Sequence, residues 1–172
     1  MATLWMKDNV FLGRLPDRVV VGLLDSKVFN GDLEYYPYAF QDFGATCVHQ
    51  VVSGEEYPYP TLELNGTDTR KDLVGYHRLL ETSGSVLHHR PHMIQLGNWG
   101  YGKNCTLFTF NNVPNGDADS PHHRNPKQKG QCRLEIQYNA SPNKNITVLV
   151  WGEFEDTFQV GTSGTISYKK YQ

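Results

Sequence analysis

Two neighbouring segments late in the 172-residue chain constrain its fold most. In Cys132–Tyr138 (CRLEIQY), Cys132, Leu134, Ile136 and Tyr138 alternate with Arg133, Glu135 and Gln137. Side chains alternate faces along a strand, so this pattern reads as a half-buried strand with one polar face. After the loop NASPNKN, the run ITVLVWGEF (146–154) is apolar on both faces until Glu153. A half-exposed strand followed by a covered one is better explained by two packed sheets than by a single open sheet.

The rest of the chain agrees. RVVVGLL (18–24) has the length and Val content of a strand covered on both faces. TCVHQVV (46–52) runs into the turn dipeptide Ser53-Gly54 and then EEYPYPTLEL, a hairpin whose Pro58 and Pro60 push the return strand to an edge or break it. CTLFTF (105–110) places Thr106, Phe108 and Phe110 on one face. One helix is expected at about 68–83, capped by Thr67 or Asp68 and ended by Gly84, with Leu73, Tyr76, Leu79 and Leu80 on its apolar stripe. The expectation is a mainly β, two-sheet antiparallel sandwich in one domain spanning 1–172. Periodicity alone does not separate a jelly roll from an immunoglobulin-like sandwich.

Composition narrows the function classes. The net charge is −2, and the densest basic cluster, HHRNPKQK (122–129), is broken by Asn and Pro. No basic stripe for nucleic acid is seen, and no apolar run approaches the roughly 20 residues of a membrane span. The first residues, MATLWMKDNVFLG, lack the apolar stretch and cleavage site of a signal peptide. Cys47, Cys105 and Cys132 are odd in number and widely spaced, as expected of small buried hydrophobes in a reducing compartment. Four Asn-x-Ser/Thr sequons, at Asn65, Asn104, Asn139 and Asn145, read as turn chemistry, although they would also suit an extracellular glycoprotein.

No motif points to catalysis, a metal or a cofactor. His88 and His89 would face opposite sides of a strand, Pro91 interrupts before His92, and the nearest downstream acid is Asp117. The stretch NGDADSPHHRNP, with Asp117, Asp119, His122 and His123, lacks the Gly and distal Glu of a calcium loop. There is no Gly-x-Ser-x-Gly elbow, TSGS (82–85) being a helix end, and GNWGYGKN (97–104) is no phosphate loop. Glu153 and Glu155 share a strand face but lack a partner lining a cleft.

One stretch stands apart. FNGDLEYYPYAFQDFG (29–44) holds six aromatic side chains in sixteen positions and no Lys or Arg. Aromatics are enriched and Lys depleted where subunits meet, so Tyr35, Tyr36, Tyr38, Phe40 and Phe43 are candidate interface residues. The alternative is that several of them pack inside their own domain.

Three segments together carry a resemblance: LPDRVVVGLLDSKVFNGDLEYYPYAFQDFG (15–44), GKNCTLFTFNNV (102–113) and GQCRLEIQYNASPNKNITVLVWGEFEDTFQV (130–160). In this order they resemble the C-terminal part of the hexon-like double-jelly-roll major capsid proteins of adintoviruses and Polinton/Maverick elements, over roughly residues 10–160. The resemblance implies a jelly roll that acts by self-assembly, in a trimer or beside an upstream jelly roll. It also implies a place in a virion or inside a host cell, in the nucleus or cytoplasm. Asn30-Gly31 and the Tyr36–Phe40 run match the family's long connection between strands. Such a capsid protein has another jelly roll upstream, which leaves this chain as a fragment, a truncated genomic copy or a domain reused alone. A glycan-binding or fibre-head-like module is the alternative, with Trp99 and Tyr101 stacking on sugar rings.

Overall fold

A computed structural model describes residues 2–64, 69–120 and 129–168. The expected caps Thr67 and Asp68, the sequon at Asn65, and His122 and His123 lie outside the described residues. In chain order the elements are β1 (Thr3–Lys7), β2 (Arg18–Asp25), α1 (Ser26–Phe29), β3 (Ala45–Val52), β4 (Glu55–Glu63), α2 (Thr69–Thr82) and α3 (Ser85–His88). A 3₁₀ turn (Leu96–Asn98) precedes β5 (Leu107–Asn111), β6 (Cys132–Tyr138), β7 (Ile146–Glu153), β8 (Phe158–Val160) and β9 (Ile166–Tyr168).

The strands form a four-stranded sheet ordered β1-β6-β3-β4 and a three-stranded sheet ordered β5-β2-β7, with β8 and β9 as a separate hairpin. Every pairing between these strands is antiparallel. The two larger sheets share one core, with Val48, Leu62, Leu134 and Ile136 from one facing Val19, Val21, Leu23, Phe108 and Phe110 from the other. The expected two-sheet sandwich is therefore present. The strands β6 and β7, successive in sequence, belong to different sheets. Three pairs nest inside one another along the chain: β1 with β6, β2 with β5, and β3 with β4.

Local chemistry accounts for the details. Ser53 and Gly54 both have positive φ, 53° and 94°, as a two-residue hairpin turn requires. The proline-containing β4 is an edge strand, and its register against β3 slips between Val48 and Gln50. β7 departs from expectation. It is the other sheet's edge, and its residues are half-buried, with Trp151 exposed, rather than covered on both faces.

The helix α2 lies against β5 and β4. Its buried face is Gly75, Leu79 and Thr82, while Leu73, expected on the apolar stripe, is exposed. The stripe is displaced because Gly75 leaves room for the Trp99 ring, which a Cβ there would strike. Gly84 (φ 77°) ends α2 as expected, but a further short helix, α3, follows it.

Gln50 and Asn112 form a polar pair inside the sandwich. Gln50 is fully buried, bonds the Asn112 side chain and accepts from Cys132 Sγ at 3.6 Å. Asn112 in turn donates to the Pro16 carbonyl at 3.0 Å.

Burial pushes the Cys132 thiol from 9.0 up to about 11 and the Tyr138 phenol from 10.0 up to about 12. The native state thus keeps protons that the unfolded chain releases first. This contribution to stability is complete below pH 9 and is lost as pH rises through about 11. The urea midpoint should therefore be lower at pH 10 than at pH 8, measured by tryptophan fluorescence. An unchanged midpoint would place these groups in water.

Candidate functional site

The aromatic connection divides in two. Phe40 turns inward: its ring fills the space over Gly22 that a Cβ would occupy, and it touches the region of Leu107 on the outer face of the three-stranded sheet. The backbone follows, with Phe40 bridging Cys105 in parallel and its carbonyl accepting from Thr106 N at 2.9 Å. Phe43 packs on the core cluster. Both are partly buried and make contacts within their own domain, the alternative weighed for this stretch. Tyr35, Tyr36 and Tyr38 remain exposed, Tyr36 and Tyr38 at 68% and 65%, edge-to-face with centroids 5.8 Å apart. Leu33 beside them is fully exposed.

A second apolar surface comes from the last hairpin. Its register pairs Phe158 with Tyr168 and Val160 with Ile166, so all four side chains stand on one face, with Gln159 and Ser167 on the other. All four are exposed, and residues 158–168 carry no charge.

The glycan pair is not formed. Trp99 is 3% exposed, its ring edge-to-face with Phe108 and its Nε1–H donating to the Leu107 carbonyl at 3.0 Å. It anchors α2 to the sandwich and offers no face to a sugar. Tyr101 is exposed and lines an open groove of about 950 Å³ on the outer face of the four-stranded sheet.

The floor of that groove holds residues that sequence inspection passed over. Antiparallel register sets Cys47 opposite Gln137 and His49 opposite Glu135, a two-by-two block on the outer face. Cys47 Sγ lies 3.3 Å from His49 Nδ1. His49 Nε2 lies 3.2 Å from Glu135 Oε2 without the alignment of a hydrogen bond. Arg133 Nε contacts Glu135 Oε1 at 2.6 Å. Glu135, expected to point into solvent, is instead buried beneath His49 and Arg133. The signal was a Cys-x-His in one strand and a Glu-x-Gln in another, and only the register brings them together. Burial pushes the Cys47 thiol up to about 11, with Glu63, Glu56 and Glu135 adding to the push.

The histidines considered for metal are dispersed. His88 Nε2 contacts Asp117 Oδ1 at 2.7 Å, so Asp117, distant in sequence, is adjacent in space. His89 sits in the left-handed region at φ 51°, and His92 packs edge-on against Tyr76. No cluster of three metal-ligating side chains occurs among the described residues. Asp119 joins Arg18 (2.6 Å) and Arg90 (2.8 Å), and Glu153 pairs with Arg18 at 2.8 Å rather than with Glu155.

No protein-family model matches the chain, and no solved structure does. It is similar to a Caenorhabditis elegans protein, itself uncharacterized, at 24% identity over 154 residues. That match covers 89% of this chain and 36% of the longer protein, so the chain spans about a third of its relative.

Proposed function

We propose that this chain is a capsid-type jelly roll that acts through self-assembly. The observation carrying the proposal is the exposed aromatic surface of Tyr35, Tyr36 and Tyr38, in a stretch without Lys or Arg. These are rigid, amphipathic side chains left without contacts from their own domain's core, of the kind enriched at subunit contacts. The apolar face of β8–β9 extends that surface chemistry to a second place. A lone two-stranded hairpin is marginal in water, so a covering partner would stabilise it. The nested pairs β1·β6, β2·β5 and β3·β4 support the jelly-roll reading, because a long hairpin rolled upon itself nests its strands in this way. A full roll has eight strands in two sheets. Here the nest holds three pairs, and β7 adds to the outer edge of β2.

The partner is a further copy, as in a trimer, or a second jelly roll in a longer chain. The test is light scattering with size exclusion across a concentration range. The expected result is an assembly lost on Tyr36→Ser/Tyr38→Ser with the fold retained by circular dichroism. A monomer at high concentration would overturn self-assembly of this chain. The glycan-binding alternative keeps only Tyr101 of its stacking pair.

A further inference from the structure

We infer that Cys47, His49 and Gln137 on the floor of the outer-face groove, with Glu135 buried beside His49, form a thiol acyl-transfer site taking uncharged or cationic acyl donors. A cysteine nucleophile needs a base within hydrogen-bond reach and a third group that orients the base. His49 Nδ1 stands 3.3 Å from the thiol, and its other ring nitrogen faces the Glu135 carboxylate at 3.2 Å. Arg133 forms an ion pair with that carboxylate at 2.6 Å. The His49 side chain is only 4% exposed, yet it lines the groove, and its Nε2 has no aligned hydrogen-bond partner. Gln137, opposite Cys47 on the same face, supplies an amide donor for a developing oxyanion.

The balance of the step is simple. Cys47 Sγ attacks the acyl carbon, the S–C bond forms and the bond to the leaving oxygen breaks. The thiol proton passes to His49 Nδ1 and then to the leaving group or water. Hydrolysis of the thioester by water reverses the proton path and returns the free thiol. Magnitude decides which route operates. With the thiol pushed up to about 11, only about one in 10⁴ is ionised at pH 7, so unassisted attack is negligible and base assistance carries the reaction. Glu56 and Glu63 line the groove, and among the described residues no Lys or Arg does, so anionic acyl donors are disfavoured. This site does not depend on whether the chains assemble.

The test uses p-nitrophenyl acetate on the whole chain, following thioester formation at Cys47 by peptide mapping and confirming it by its lability to hydroxylamine. Cys47 should be acetylated well ahead of Cys105 and Cys132, and His49→Gln should slow it at least 100-fold, the usual scale of general-base assistance. Glu135→Gln should lower the rate and alter its pH dependence while the melting curve stays cooperative. In the unaltered protein the rate should level off well below pH 10. A rate rising tenfold per pH unit towards pH 10 would mean simple thiolate attack and overturn the inference, even if His49→Gln failed to fold. An unchanged rate in folded His49→Gln, or no acetyl group on Cys47, would overturn it equally.

Discussion

Trp99→Ala destabilises the protein by about 3–5 kcal/mol, the cost of removing a large buried aromatic ring and leaving its cavity. The ring is wedged between α2 and β5, which are also joined by the Thr109 hydroxyl donating to the Arg78 carbonyl at 3.3 Å. On one side it meets Gly75 and Tyr76 of α2, the latter with centroids 6.3 Å apart, and on the other Phe108 of β5. The substitution also leaves the Leu107 carbonyl without its indole donor. For a chain of this length, each kcal/mol shifts the melting temperature by roughly 2–4 °C, so a drop of roughly 6–20 °C is expected by calorimetry. Trp99→Phe keeps most of the packing and should cost clearly less. Equal losses for Ala and Phe would mean that the indole N–H, not the ring, anchors α2.

Asp119→Ala should cost about 3 kcal/mol by urea unfolding, because it leaves the nearly buried Arg18 guanidinium half-compensated. Asp119 accepts from Arg18 at 2.6 Å and Arg90 at 2.8 Å, tying the start of β2 to the segments on either side of β5. Glu153 retains one contact to Arg18 at 2.8 Å, which keeps the loss near the low end of the usual range. Replacing both partners, as Arg18→Leu with Asp119→Leu, should recover much of the loss, since no charge is then buried alone. A double variant as unstable as Asp119→Ala would show that packing around Asp119, rather than its charge, holds this corner.

The sandwich was legible because a strand exposes its environment in a period of two. CRLEIQY announced one buried and one polar face, whereas ITVLVWGEF announced a covered strand and is instead a half-buried edge strand. The hairpin at Ser53-Gly54 was equally local, since positive φ at both turn residues is a property of those residues. The helix was legible in extent but not in orientation. Gly75, which looks like a weak point in a helix, is the point of closest approach to Trp99, and that turns Leu73 outward. Similarly, Phe40 and Phe43 could not be told from Tyr35, Tyr36 and Tyr38 by type. The Gly22 surface accepts the Phe40 ring and the core cluster takes Phe43, which leaves the tyrosines outside.

What the amino-acid sequence determined by itself was therefore short-range: strand faces, turns, the helix and a concentration of uncharged aromatics. Tertiary structure alone decided which strands are edges, which aromatics stay outside, and that Cys47, His49, Glu135 and Gln137 meet on one face. The reason is register. Residues 47 and 49 alternate identically whichever strand lies beside them, and only the pairing of β3 with β6 puts a carboxylate next to the imidazole.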